Sequence, residues 1–455
     1  MKKYFILLII LNVFNIQAKP NLIIILTDDQ GYKDVGFNGC QDIPTPYIDS
    51  IAESGVKFTD GYVSYPVCGP SRAGLLTGRY QDRFGFTTNP TIDPTNPIAG
   101  IPLDEKNIAE VLKPKGYSSA IIGKWHMGTH EVHHPLNRGF DHFFGFLSGG
   151  HNFFPANYTL NDLSEVTRKW QWYNTKLIHD HERIDIKEGY LTDILTDAAV
   201  DFVNKKADEE KPFMLYLAYN APHTPLQASE KYLKRFTHIK DKNRRIYAAM
   251  VSAVDDGVGK LMTTVRNRGL EEQTLVFFLS DNGGPLKGKI PFTDNGPLQK
   301  GKGSLHEGGI RVPFAMQWKG TVPSGKVYKK PVISLDIMAT IAELAKASIN
   351  KPLDGVNLIP YLTGENEGYP HEQLFWRKLT HGGIALRRGN MKGLKEKGSN
   401  KAEFTLYDLS NDQSERNDLK TQNPETAHEM IQAWENWRRE LKDCIFPTLQ
   451  EEWWK

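Results

Sequence analysis

Apolar residues in this chain fall into two patterns. The first is the short unbroken run: Leu22–Leu26, Ser119–Ile122, Phe213–Tyr219, Leu275–Leu279 and Val312–Trp318. Runs without polar alternation suit strands covered on both faces. The second pattern has helical period. Thr192–Lys205 sets Ile194, Leu195, Ala198, Ala199 and Phe202 on one side. Thr45 and Pro46 open a helix that ends near Gly55, Arg244–Arg268 stops at Gly269, and Ser334 caps Leu335–Lys346. Strands alternating with helices predict an α/β sandwich, a large mostly parallel (mixed) sheet between layers of helix.

The pattern changes after Asn350. Lys351, Pro352 and Gly355 begin a looser connection. Four short strand-like pieces follow, Gln373–Trp376, Gly383–Arg387, Met391–Leu394 and Phe404–Leu409. Asn423 and Pro424 then open a helix with Met430, Trp434, Trp437 and Leu441 along one side. This reads as a small antiparallel sheet with a C-terminal helix. At the other end, Lys2 and Lys3 precede an apolar run from Tyr4 to Ile16, with Ala18 as a small residue for cleavage. That is the form of a secretory signal peptide and is too short for a membrane span. The expected organisation is a signal peptide at 1–18, a catalytic domain at 19–350 and a smaller C-terminal subdomain at 351–455. The mature protein is expected to be exported, periplasmic or secreted, with no membrane span.

Charge adds one constraint. Loss of Lys2 and Lys3 with the leader leaves basic and acidic residues equal at 54 each. Attraction for an anionic partner must then be local, and global charge gives no case for nucleic acid. Of the three cysteines, Cys40 and Cys444 are far apart and no bridge between them is expected. Asn157-Tyr158-Thr159 is a glycosylation sequon, relevant only in a eukaryotic secretory pathway.

Polar residues collect where the predicted strands end. The first strand runs into Asp28-Asp29, the second into Gly123-Lys124-Trp125-His126-Met127-Gly128, the third into Asn220-Ala221-Pro222-His223 and the fourth into Asp281-Asn282. Open α/β sheets bind ligands outside the carboxyl ends of their strands. Asp28, Asp29, Asp281 and Asn282 form an oxygen-rich set that suits a hard divalent cation, calcium first and magnesium second. A turn or helix cap is the plainer account of Asp28-Asp29 alone. Asp294-Asn295-Gly296 repeats the Asp-Asn-Gly triplet but follows no strand, and reads as a turn.

One stretch names a chemistry. Cys68-Gly69-Pro70-Ser71-Arg72, running on to Leu76-Thr77-Gly78, resembles the signature of the type I sulfatases, in particular the bacterial polysaccharide enzymes, and the resemblance covers Asn21 to about Val312 and resumes weakly at Leu406-Tyr407-Asp408-Leu409. Pro70 suits a first helical turn, Gly78 a stop, and residue 68 would sit at a helix amino end that favours an anion. The resemblance implies that a maturation enzyme oxidises Cys68 to formylglycine, whose hydrate attacks sulfur and is a further metal ligand. It implies that Arg72 holds that hydrate, Lys124 and Lys302 neutralise sulfate oxygens, His126 acts on the second hydroxyl, and His223 faces the leaving oxygen. Lys302 lies in Gly301-Lys302-Gly303-Ser304, before Glu307-Gly308-Gly309, similar to a second sulfatase motif. That motif departs from pattern at Leu305-His306, where His306 is expected in a solvent-facing loop.

Substrate rests on weaker signs. Phe143–Phe154 is aromatic and glycine-rich and carries His151 and Asn152, which suits sugar faces, although core packing explains such a run equally well. Trp376-Arg377-Lys378 and Arg387-Arg388 could offer positive charge to a polyanion. The expected substrate is a sulfated carbohydrate (algal galactan, ulvan or glycosaminoglycan). The alternatives are a broad arylsulfatase, a phosphate or phosphonate hydrolase of the same superfamily, and a non-catalytic relative, which should lack a central residue.

Overall fold

The computed structural model describes residues 19–446 except 210, 287, 289, 290, 380, 381 and 397–402, so the signal peptide expected at 1–18 lies outside the described residues. In chain order the strands are β1 Asn21–Thr27, β2 Val56–Phe58, β3 Gly61–Tyr62, β4 Ser118–Lys124, β5 His142–Phe146, β6 Leu177–His179, β7 Glu182–Ile184 and β8 Phe213–Ala218. They continue as β9 Thr274–Ser280, β10 Phe314–Gln317, β11 Lys326–Tyr328, β12 Val332–Ile333, β13 Leu374–Lys378, β14 Gly383–Arg388, β15 Met391–Lys395 and β16 Thr405–Asp408. A ten-stranded mixed sheet has the order β11-β2-β10-β9-β1-β8-β4-β5-β6-β7. Its centre is parallel: β1 pairs with β8 and β9, and β4 pairs with β8 and β5.

Every residue of β1, β8 and β9 is buried, as unbroken apolar runs require. Leu22, Ile24 and Leu26 enter one core, with Leu75, Leu76, Ile337 and Ile341 from the helices Cys68–Thr77 and Asp336–Leu344. Ile23 and Ile25 enter the other, with the helices Leu191–Glu209 and Lys242–Asn267. Each buried aliphatic side chain contributes roughly 1.5–3 kcal/mol. The helix Pro46–Glu53 completes that second layer.

Two of the expected apolar stretches take definite places in the sheet. Phe314–Gln317 joins the main sheet antiparallel to β9. The aromatic stretch from Phe143 opens as β5, a strand of the sheet, and only its remainder is loop. The antiparallel sheet β13-β14-β15-β16 and the helix Pro424–Arg438 form a smaller unit. It is sealed to the large one through a third core in which Trp376, Met430, Trp434 and Trp437 meet Tyr62, Leu305 and Ile333. Among the described residues no helix is long and apolar enough to cross a membrane, and Cys40, Cys68 and Cys444 are all free.

Candidate functional site

Four parallel strands deliver polar side chains to one edge of the sheet. The register aligns their ends, with Thr27 opposite Ser280 and Gly123 opposite Ala218. Asp28 and Asp29 follow β1, Lys124 closes β4 with His126 just beyond, His223 follows β8, and Asp281 and Asn282 follow β9. Asp29 and His126 have left-handed backbones, φ 67° and 60°. Such strain in non-glycine residues is held in place by its surroundings and marks functional sites. The helix Cys68–Thr77 points its first residue at this edge and ends at Gly78, whose φ is 65°. Asn89 Oδ1 accepts the Gly69 N–H at 2.8 Å and so occupies part of that helix terminus.

Cations and carboxylates form one network, in which Arg72 also comes within 3.8 Å of Asp28 Oδ2. Arg72 donates from Nε at 2.9 Å to Asp281 Oδ2, with Nη2 at 2.8 Å from the same oxygen, and from Nη1 to the Lys124 carbonyl at 3.2 Å. Lys124 Nζ closes on Asp28 Oδ2. Lys302 Nζ lies 2.6 Å from Asp29 Oδ1 and 3.3 Å from Cys68 Sγ. Cys68 Sγ is 3.5 Å from Asp28 Oδ1.

Burial dominates the protonation of these groups. It pushes the Cys68 thiol up to about 12, against the pull of Lys124 and Lys302. It also pushes Asp281 up to about 6, together with the charge of Asp28 and against Arg72. Burial would raise Asp29 too, but Lys302 and His223 together hold it below the usual carboxylate range. Burial, then the charges of Lys124, Arg72 and Lys302, drive His126 well below an ordinary histidine. Among the described residues neither of its ring nitrogens has a hydrogen-bond partner. Burial takes His223 down to about 3, Asp29 opposing. Its Nδ1 lies 2.6 Å from the Thr224 carbonyl, which only accepts, so the proton sits there and Nε2 is left 3.6 Å from Asp29.

The set fits a hard divalent cation. Asp28, Asp29, Cys68 and His223 hold ligand atoms within 4.8 Å of one another. Asn282 Nδ2 donates to Asp29 at 2.7 Å, while its Oδ1 is buried without a partner. Two clustered carboxylates, a third in Asp281 just beyond them and an orphaned amide oxygen are the donor chemistry of calcium or magnesium. Asp281, the most distant in chemistry, is engaged by Arg72.

A cavity of about 430 Å³ opens above this cluster. Asp29, Cys68, His126, His223 and Lys302 reach it, whereas Asp28, Arg72, Lys124, Asp281 and Asn282 lie fully buried outside its lining. Its other walls are Asn89, Ile92, Gly149, Trp170, Trp172, Tyr173, Thr224 and Pro225. Of these, only Gly149 falls in a stretch singled out by the sequence, Phe143–Phe154. The only signal is the aromatic cluster Trp170-Gln171-Trp172-Tyr173, in short 3-10 turns without periodicity.

Four expected sugar contacts lie elsewhere. His151 is fully buried between Phe146 and Tyr158, its ring nitrogens on the carbonyls of Asn152 and Thr175. Asn152 is turned to Tyr173, Asn174 and Gln227 by hydrogen bonds. Trp376 is core and donates Nε1–H to the Val63 carbonyl at 2.8 Å. Arg377 is paired with Asp82, Arg387 with Asp60, and Arg388 with Glu429. Their charge is satisfied inside the protein. His306 is not solvent-facing: it packs against Glu415 at 3.2 Å. In the repeated triplet, Asn295 accepts the Gly284 N–H at 2.9 Å and donates to the Gly284 carbonyl at 2.8 Å, bracing the loop beyond Asp281-Asn282.

Comparison with known proteins gives consistent matches. The sulfatase profile matches residues 20–347, and the profile of the N-sulphoglucosamine sulphohydrolase C-terminal region matches 301–441. An uncharacterized sulfatase of Escherichia coli, YdeN, is 33% identical over 417 residues, 80% of this chain and 69% of its own. The mouse N-acetylgalactosamine-6-sulfatase is 36% identical over 351 residues, 75% of this chain and 66% of its own. The chain thus spans about two thirds of the length of these relatives. The crystal structure of Ps i-CgsB in complex with k-i-k-neocarrahexaose superimposes with a TM-score of 0.88 at 40% identity, covering 94% of each chain.

Proposed function

The chain belongs to the sulfatase family of sulfuric ester hydrolases, and we propose that it desulfates a polysaccharide or its oligosaccharides through a formylglycine made from Cys68. The observation that carries this is the placement of Cys68 at a buried helix amino end, with Asp28 at 3.5 Å and Lys302 at 3.3 Å. As a thiol pushed up to about 12, Cys68 is a poor nucleophile. The hydrated aldehyde supplies the attacking hydroxyl, and a bound calcium or magnesium ion supplies charge stabilisation.

The chain's own groups do the rest. Asp28, Asp29, Asp281 and Asn282 would hold the metal. Carboxylates so engaged leave Lys124 and Lys302 with charge to offer sulfate oxygens. Arg72 fixes the Asp281 carboxylate and the end of β4. His223, its Nδ1 tied to Thr224, presents Nε2 to the leaving oxygen. An anionic ester beside it favours the protonated ring, as Asp29 already does. His126, neutral and without partners, is the base for the remaining hydroxyl.

Carbohydrate is favoured over a simple aryl ester by the relatives, one named for N-acetylgalactosamine-6-sulfate chemistry and one crystallised with a neocarrahexaose. A sulfated galactan is the first class to test. Export of the mature protein and the maturation step belong to the same proposal. The test is sulfate release, measured by ion chromatography, from defined sulfated saccharides and an aryl sulfate, with the mass of the residue-68 peptide determined in parallel. Release from a saccharide, abolished in Cys68→Ala, is the expected result. Release from aryl sulfate alone, or of phosphate rather than sulfate, would overturn the reading.

A further inference from the structure

The rim of the cavity carries an indole that packing does not explain. Trp170 is 50% exposed, while Cys68 and His126 at the base are 1% and 2% exposed. Its backbone is left-handed, φ 72°, a conformation costly for a bulky side chain. The turn that imposes it is built: Gln171 Oε1 accepts the Thr167 N–H at 2.8 Å, the Arg168 N–H at 3.0 Å and the Thr167 hydroxyl at 3.1 Å. The edges of Trp172 and Tyr173 hold the ring, with centroids 5.3 Å and 5.6 Å away. Trp172 is in turn anchored in a small core of its own, with Ile92, Leu163 and Val166. A rigid, strained scaffold thus keeps one large apolar face in water at the entrance to the site.

Charge accompanies it. Arg168 and Lys169, which precede the indole in sequence, are exposed, and neither makes an ion pair among the described residues. Lys169 Nζ lies 5.1 Å from the Trp170 ring centroid. An exposed indole with the Lys169 ammonium over its ring and a second exposed cation, Arg168, two positions back in sequence matches a sugar ring that carries its own sulfate.

We propose that Arg168, Lys169 and Trp170 form a subsite for the anionic sugar unit next to the one being desulfated, so that the enzyme selects oligomers over sulfated monosaccharides. This rests on the carbohydrate reading above. The rim lies outside the reacting cluster, so a monosaccharide seated at Cys68 would not need it.

The test compares kcat/KM on a sulfated monosaccharide and on the tetrasaccharide of the same polymer. Trp170→Gly removes the ring and suits the left-handed backbone. It should lose on the order of tenfold on the tetrasaccharide, the worth of one aromatic contact, mainly through KM. The loss on the monosaccharide should be several-fold smaller than on the tetrasaccharide, and the melting temperature should not fall as it would for a packing residue. Trp170→Phe should recover part of the loss. Arg168→Gln with Lys169→Gln should flatten the salt dependence of tetrasaccharide KM. Equal losses on both sugars, or none on either, would overturn the subsite. A wild-type enzyme with the aldehyde present that cleaves no saccharide would overturn the carbohydrate reading itself, a distinguishable failure.

Discussion

Lys392 offers the sharpest test of how the small sheet supports the site. Its Nζ lies 2.9 Å from Glu307, 2.8 Å from Glu415 and 2.9 Å from the Leu305 carbonyl, all without solvent exposure. Glu415 also accepts the Glu307 N–H at 2.7 Å. Burial would raise Glu307, yet Lys392, Arg311 and Arg387 together hold it down to about 2. Lys392→Met keeps the length of the stem and removes the charge. Breaking a buried pair costs about 3–5 kcal/mol. Glu307 retains Tyr62 and Arg311, at 2.6 Å and 3.4 Å, so most of the loss falls on Glu415 and a value of about 4 kcal/mol is expected. At about 2.1 cal/mol/K per residue, that lowers the melting midpoint of a chain this size by roughly 4–5 °C. Thermal and urea unfolding of the two proteins measure it. The partner variant Lys392→Met/Glu415→Gln should regain part of the loss, since a neutral amide needs no cation. A single variant within about 1 kcal/mol of wild type would refute the argument, as would a double variant no better than the single.

Three further outcomes follow from the site. An alanine Cβ at residue 149 would stand 2.6 Å from His126 Nε2, so Gly149→Ala should cut kcat on the order of a hundredfold with little change in the urea midpoint. Chelation should lower the melting temperature and added calcium restore it, by about 2.7 kcal/mol at a hundred times Kd, read by calorimetry. His151 and His223 are pushed down to about 4 and about 3, so between pH 6.5 and 4 protons bind the unfolded chain first. Stability should therefore fall with acidification across that window, by up to about 1.4 kcal/mol per pH unit for each, and His151→Gln should flatten the slope of urea midpoint against pH.

The sheet centre was legible because β1, β4, β8 and β9 are buried on both faces and cannot hide their composition. The polar residues at their ends were legible for the same reason: a strand that stops at Asp28-Asp29 or Asp281-Asn282 has no packing use for them. The shortest strands were not. β2, β3, β11 and β12 are two or three residues long, and nothing periodic fits in that length. Aromatic residues misled in both directions. His151 and Trp376 have the composition of a sugar site and the position of a core, whereas Trp170 looks like any loop residue and stands at the mouth. Composition says that a ring will be packed or stacked, and only the neighbours decide which.

The loop that carries Lys302 is held from the small sheet. Lys378 reaches the Gly303 carbonyl, Glu396 accepts the Leu305 N–H at 3.0 Å, and Lys392 takes the Leu305 carbonyl. Lys392 and Glu415 lie 85 and 108 residues beyond Glu307. A ribosome therefore delivers residue 68 long before it delivers the side chains that pin Lys302 beside it. The position of Lys302 beside residue 68 is thus set by side chains from the last part of the chain to be made.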